Sequence, residues 1–334
     1  MASFDQNITS TRVLLALLQC AGIGGQTTLR LTLPRLDGTQ SISPWLSPRL
    51  SRPLNDREKE MQSRLLDARL IPPSVWDWVA HQLDWHQQNN ARIIGFYEED
   101  YPNLLRLIPS PPPVLFTMGD VSKLNQASIA IVGTRHPSPK GVYRAKACLS
   151  LIATHQLGVI SGLALGIDQL AHQGAISQER YTAAVLGHGL DSRYPKENSY
   201  LSKRILNSGG ALITEQAAGI SVSSASLVGR DRLQSGLAHT TYIVESTHHG
   251  GTLHTGRAAQ RQDRNLWIPR SLRTELSEFD RSQYQNVTWL TDESHFIKQL
   301  TGIIDGHKQL LQRGHKLKAK LDHLVTQSQI PPLI

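Results

Sequence analysis

Apolar residues change their spacing along the chain, and the changes divide it. Over "TRVLLALLQCAGIGGQTTLRL" (11–31) they recur at helical intervals, then break at Gly22, Gly24 and Gly25. Residues 31–58 are polar, with Pro34, Pro44, Pro48 and Pro53, and predict a long loop. Residues 62–89 return to an amphipathic helical pattern, so 1–90 reads as a small helical domain. Residues 91–126 read as a connector. Pro109 and the run Pro111, Pro112 and Pro113 favour a stiff extended path there. From 127 short apolar runs alternate with helical spacing: "ASIAIVG", "GVIS", "TAAVLG", "ALITE", "TTYIVES" and "NLWIP". Helices fit between them at 141–155, 166–179, 198–208, 229–238 and 251–262.

Continuous apolar strands alternating with helices predict an α/β fold with a mostly parallel sheet covered on both faces. The expected domain spans 127–271. After 271 the pattern weakens to a C-terminal extension, 272–334. Its stretch "HKQLLQRGHKLKAKLDHL" (307–324) is a basic helix with five Lys/Arg against one Asp.

In an open parallel sheet the ligand crevice lies at the carboxyl ends of the strands. The residues there are therefore the candidates. The first strand runs into "GTRHPSPKG", where Gly133 and Gly141 permit tight backbone and Arg135, Ser138 and Lys140 can face phosphate. The helix starting near Gly141 offers free N–H groups. This is neither the G-x-G-x-x-G dinucleotide pattern nor a Walker A loop. The second strand runs into Ser161, Gly162 and Gly166, followed by Asp168 and His172 on one helix face. Asp168 is expected to steady the helix N-terminus with His172 as its i+4 partner; an acid/base pair is the other reading. The third strand is followed by Arg193, Tyr194, Lys196 and Asn198, cations beside an aromatic face, or else a Tyr-Pro turn packed on the domain. Arg230 and Arg232 open a later helix, with Asp231 between them as a candidate ion-pair partner. The fifth strand leads into Gly250, Gly251 and Thr252. A basic run follows: Arg257, Arg261, Arg264, Arg270 and Arg273.

Composition sharpens this. The chain has 334 residues, 39% hydrophobic and 19% charged, so a packed core is expected. A net charge of +8 either draws a polyanion or simply keeps the chain soluble. Cys20 and Cys148 support neither a disulfide framework nor a cysteine zinc site, which fits a reducing cytoplasm. His248, His249 and His254 lack the spacing of a metal-ligand set. The start "MASFDQNITS" reads as no signal peptide, and no apolar run reaches the roughly 20 residues of a membrane span. No nucleophile–base arrangement stands out. Basic small-residue loops repeated along one sheet edge point to phosphate binding. With 6% aromatic residues, the phosphate contribution is expected to exceed stacking.

The order GTRHPSPKG, SGLALGIDQLAHQGA, AVLGHGLDSRYPKEN, ALITEQ, GRDR…SGLA and VES…GGTLHTGRAA resembles the DNA-processing protein A family (DprA, or Smf). The resemblance covers 91–270. "GIGGQT" is similar to the family's small helical domain, of SAM or helix-hairpin-helix type. It implies a Rossmann-like protein, not an enzyme and without a cofactor, that binds single-stranded DNA in the cytoplasm. The implied partners are RecA, which it helps load during natural transformation, and a second copy in a homodimer. Its site residues would be those just named. The chain departs from the family pattern in several places. Asp231 stands where Asn is usual, Lys140 where tyrosine is usual, and Gly251 where serine is usual. No aromatic precedes the arginine pair in "SSASLVGRDR". The rival reading is a nucleotide-ligand sensor or nucleotide hydrolase in the same crevice, with Glu215 and Glu245 beside "GGTLHT" and Glu245 polarising a ribose or a water.

Overall fold

The structure is a computed structural model that describes residues 6–20, 24–32, 56, 59, 71–248, 250–280 and 286–327. The expectations for 33–55, Gly22, 62–70 and His249 lie outside the described residues. The chain forms two compact units, Met1–Phe116 with Gln312–Ile334, and Thr117–Leu311.

In the first unit, α1 (Gln6–Gln19) and α2 (Gly25–Thr32) bury Leu17 and Leu31 between them. Helix α3 (Pro73–Gln88) starts on a proline at its first position, where no N–H is needed. Strand β1 (Ala91–Gly95) and one turn, α4 (Asn103–Arg106), follow. Arg106 is buried here. Its Nη1 donates to Asn103 Oδ1 at 2.7 Å and its Nε to the Phe96 carbonyl at 3.2 Å. Strand β2 (Val114–Gly119) carries the chain into the second unit. The segment expected to be only a stiff path thus holds two strands. The three prolines Pro111–Pro113 end just before β2, where no ladder N–H is lost.

The second unit is a parallel sheet. Strands β3 (Ser128–Gly133), β4 (Gly158–Ser161), β5 (Thr182–Leu186), β6 (Ala211–Thr214), β7 (Thr240–Glu245), β8 (Asn265–Pro269) and β9 (Val287–Leu290) lie in the order β6-β5-β4-β3-β7-β8-β9. Every pair is parallel. Between them run α5 (Pro139–Thr154), α6 (Ile167–Ser177), α7 (Ser199–Asn207), α8 (Ser224–Gly236) and α9 (Thr252–Arg261). All residues of β4, β5 and β6 are buried, as a sheet covered on both faces requires. Ile129, Ile131, Val159, Tyr242, Val244 and Trp267 pack with Leu149, Ile152 and Phe296 in one cluster. Each fully buried aliphatic or aromatic side chain there contributes roughly 1.5–3 kcal/mol.

The six expected strands lie within one residue of their observed ends, but β9 has no counterpart among them. Its sequence "VTWL" is short and only its last residue is buried, so it lacks the continuous apolar signature. The basic C-terminal stretch is part of a longer helix, α10 (Glu293–Gln327), whose first turns bury Phe296, Leu300 and Ile303.

The order matters for function. The chain steps outward from β3 to β6, then returns to place β7 on the other side of β3. The switch point of a doubly wound sheet therefore falls between β3 and β7. The two strand ends are tied across it. Thr134 N–H donates to the Glu245 carbonyl at 2.9 Å, and a register shift at Val132/Gly133 brings Glu245 opposite Gly133. Ser138 caps α5, accepting from the Gly141 N–H at 3.1 Å. Its hydroxyl in turn donates to Glu245 Oε1 at 2.6 Å. Replacing Ser138 by Ala removes both bonds at once. Urea unfolding of Ser138→Ala is expected to show a loss of about 1–2 kcal/mol, the upper range for a helix cap; an unchanged midpoint would show that the cap does not hold the turn.

Candidate functional site

A cavity of about 470 Å³ opens at the switch point. Its walls come from the β3 end (Val132–Arg135), the β4–α6 loop and α6 (Ala164, Asp168), α8 (Leu227, Arg230, Asp231, Gln234) and the β7–α9 loop (Ser246, Gly250, Gly251, Thr252). Its size suits a small ligand or one unit of a polymer.

Of the sequence candidates, Gly133, Arg135, Arg230, Gly250, Gly251 and Thr252 line this cavity. Arg135 is exposed at its mouth. Gly166 has φ +78°, and a Cβ there would strike the Thr134 carbonyl, so only glycine lets the two loops touch. Helix α9 opens on Gly251 with no side chain capping it. Of its first N–H groups, Leu253 and His254 donate back to the Gly250 and Gly251 carbonyls at 3.1 and 3.0 Å, so an anion would meet the helix at Thr252.

Other candidates are occupied by the protein itself. The α5 N-terminus expected to hold phosphate holds Glu245 instead. The Ser138 N–H donates to Oε2 at 2.8 Å, and a Cβ on Gly141 would strike the same carboxylate. Glu245 is thus a structural anion at a helix N-terminus, which corrects its reading as a group that polarises a ribose or water. The β4–α6 amides hold Asp168, whose Oδ2 accepts from Gly162 N–H at 3.1 Å and Ala164 N–H at 3.4 Å. Ser161 donates its hydroxyl to the Ile131 carbonyl at 2.7 Å. Gly162 faces Arg230 so closely that a Cβ would overlap its Nη1.

The Asp168–His172 partnership does not form. Thr182 gives its one hydroxyl proton to the Val159 carbonyl at 2.9 Å, so His172 Nδ1, 2.8 Å away, must donate to it. Burial holds His172 down at about 3, neutral and outside any acid/base role near neutrality.

The arginine pair is likewise engaged. Arg230 is 6% exposed, donates to the Val185 carbonyl at 3.1 Å and lies 3.2 Å from Asp231 Oδ1. Arg232 pairs with Glu215 at 2.5 Å, so its charge is already met within the protein. In the basic run, Arg257 pairs with Glu278 and Arg273 with Asp280, both at 2.7 Å, and Arg264 is buried. Those two carboxylates lie beyond residue 273, so the run looks unopposed in the sequence.

Four candidate cations stay in solvent: Arg135, Lys140, Arg193 and Lys196 are exposed. Among the described residues no carboxylate lies within ion-pair distance of any of them. Tyr194 is half-buried, with its ring edge-on to His188 at 6.4 Å. Asn198 is buried and donates to the Leu163 and Ala164 carbonyls at 2.8 and 3.0 Å. It fastens the Arg193–Lys196 loop to the cavity wall rather than meeting a ligand.

One polar cavity residue on α8 escaped sequence reasoning. Gln234 follows Arg230 by four, one helical turn away, and its amide oxygen can accept from both Arg230 and Gly162 N–H. The cavity lining sets Asp168 and Asp231 against Arg230, with Arg135 at its mouth. Burial pushes the Asp168 carboxyl up, against the pull of Arg230. Burial pushes Asp231 up to about 7, with Asp168 adding to the rise and Arg230 and Arg135 opposing it.

With the fold and site placed, the likeness to known proteins is clear. The family model for DNA recombination-mediator protein A matches residues 92–301. The chain belongs to that family. It is 33% identical over 194 residues to Protein Smf of Synechocystis sp., covering 57% of this chain and 48% of that protein. It is 30% identical over 189 residues to the DNA processing protein DprA of Bacillus subtilis, covering 56% and 63%. The chain thus spans about half the length of the Smf proteins and under two thirds of the Bacillus relative. In fold it is similar to DNA processing protein A of Streptococcus pneumoniae, with a TM-score of 0.63 at 21% identity over 90% of this chain and 99% of that one. The Helicobacter pylori protein, solved for its single-stranded DNA binding mode, superposes with a TM-score of 0.56 at 23% identity, covering 64% and 96%.

The Asp231 carboxyl yields a pH test. Its folded value, about 7, lies above the ordinary 3.8. Between these values the folded chain keeps a proton that the unfolded chain has lost, so stability falls as pH rises through the window. Asp231→Asn removes that slope. Thermal melts should show the variant gaining on wild type from pH 4 to pH 7; a constant difference would mean Asp231 titrates normally.

Proposed function

We propose that this protein binds single-stranded DNA along the strand ends of its parallel sheet and acts as a recombination mediator. The domain that does so is 127–271, with 1–90 as an accessory helical domain, 91–126 as the connector and 272–334 as an extension. The observation that carries the reading is the set of exposed cations on the strand-end loops, none in an ion pair among the described residues and Arg135 lining the switch-point cavity, in a chain of this family. Arg135 and the uncapped α9 N-terminus, with Gly250, Gly251 and Thr252, offer phosphate contacts. Lys140, Arg193 and Lys196 extend the positive rim. In this reading Ser138, Gly141, Ser161, Gly162, Gly166, Asn198, Arg230 and Arg232 shape the site from behind rather than touch DNA.

The work is binding, without a catalytic step or a cofactor. Relatives' names tie the family to DNA processing, and we extend this to helping RecA onto incoming single strands during natural transformation. The setting would be cytoplasmic and the working form a homodimer. Among the described residues no helix is long and apolar enough to cross a membrane. The nucleotide-sensor reading would use the same cavity.

Fluorescence anisotropy with a labelled oligothymidine and its duplex decides between them. Wild type should prefer the single strand, lose affinity as salt rises, and bind it about tenfold or more weakly as Arg135→Ala. Failure to bind the oligomer, together with a rise in melting temperature at micromolar mononucleotide, would favour the sensor.

A further inference from the structure

The cavity at the switch point has no Phe, Tyr or Trp in its lining. A single strand held there makes polar and phosphate contacts but finds no ring of that kind to stack on. The missing surface stands on α7, where Tyr200 is 72% exposed. Large aromatic side chains bury most of their area in a folded chain unless something else covers them.

Tyr200 does not stand alone. Lys196, Tyr200 and Arg204 are spaced by four, and Lys203 falls beside them, so the four share one face of the turn and helix spanning 196–207. The opposite face is the buried one, with Leu201 and Ile205. Arg204 lies over the Tyr200 ring, 6.0 Å from its centre. A guanidinium at one face steadies the ring by cation–π attraction and leaves the other face to solvent. Lys196 and Lys203 are exposed, and no described carboxylate lies within ion-pair distance of them. Glu197 flanks the stripe without joining an ion pair among the described residues. The stripe is tied to the cavity wall. Asn198, between Lys196 and Tyr200, donates to the Ala164 carbonyl, and Ala164 lines the cavity.

We propose that this face of α7 is a second subsite for single-stranded nucleic acid. A base stacks on Tyr200 and the flanking phosphates meet Lys196, Lys203 and Arg204. The inference rests on the single-strand reading above and extends it. The strand leaves the cavity over the Asn198 turn and continues along α7. An aromatic platform flanked by cations accepts any base, because every base has a π-face, so this subsite adds affinity and length rather than sequence preference. Duplex DNA, whose bases are stacked within the helix, gains nothing from Tyr200.

The test compares a short oligothymidine, long enough for the cavity alone, with a longer one, by anisotropy at fixed salt. Tyr200→Ala should bind the long strand about tenfold more weakly and the short strand as wild type does. Tyr200→Phe should keep the long-strand affinity, because the ring rather than the hydroxyl does the stacking. Tyr200→Trp should show tryptophan quenching with the long strand only. The side chain is exposed, so melting temperatures should match wild type and exclude a folding defect. Wild-type-like binding of the long strand by Tyr200→Ala would overturn the subsite while leaving cavity binding in place. Absence of binding of either strand by wild type would overturn the single-strand reading and the subsite with it.

Discussion

The Glu245 carboxylate sits where β7 ends and α5 begins, and the geometry of the switch point depends on it. Its backbone carbonyl takes the Thr134 N–H, and its side chain takes the Ser138 N–H and hydroxyl. Two strand ends and a helix N-terminus are thereby held by one residue. An anion at a helix N-terminus is favourable because the unpaired N–H groups and the helix dipole both meet it. The consequence is that this N-terminus is closed to phosphate. The same device recurs nearby: Asp168 fills the amides after β4, and Glu215 and Asp231 neutralise the arginines of α8.

Internal carboxylates thus separate two jobs that sequence motifs run together. Small-residue turns and buried arginines build the walls. Exposed cations and one uncapped helix end face outward. Arg230 is buried with the Val185 carbonyl and the Asp231 carboxyl as its partners, and a buried guanidinium without partners costs several kcal/mol. The pairing is therefore a structural requirement before it is a functional feature. Asp231 brings a second consequence: the charge of the cavity changes with pH near neutrality.

The fold was legible in the sequence where strands are buried on both faces. β4 and β8 coincide with the runs "GVIS" and "NLWIP", because a parallel strand covered on both faces keeps its apolar residues consecutive. β9 and the strands of the connector segment were not legible: β9 is short and mostly half-buried, and β2 directly follows the proline run that reads as a connector. The site was legible as a location. Strand ends named the right loops, and Gly133, Arg135, Gly250, Gly251 and Thr252 do meet at one cavity. Individual roles were less visible, since a motif gives residue type and spacing but not the partner that arrives from elsewhere in the chain. Ser138 meets Glu245 across 107 residues and Arg257 meets Glu278 across 21. His172 turned to Thr182 rather than Asp168 for the same reason.

The central claim is that rim cations, and not the paired arginines, carry phosphate binding. The slope of log affinity against log salt for an oligothymidine tests it directly, since each phosphate the protein no longer neutralises lowers the slope by about 0.7 on a single strand. The account predicts that Arg135→Gln and Lys196→Gln each reduce the slope by about that amount, and that Arg232→Gln, which frees a partner already inside the protein, leaves it unchanged. A slope reduced by Arg232→Gln and retained in the two rim variants would contradict it.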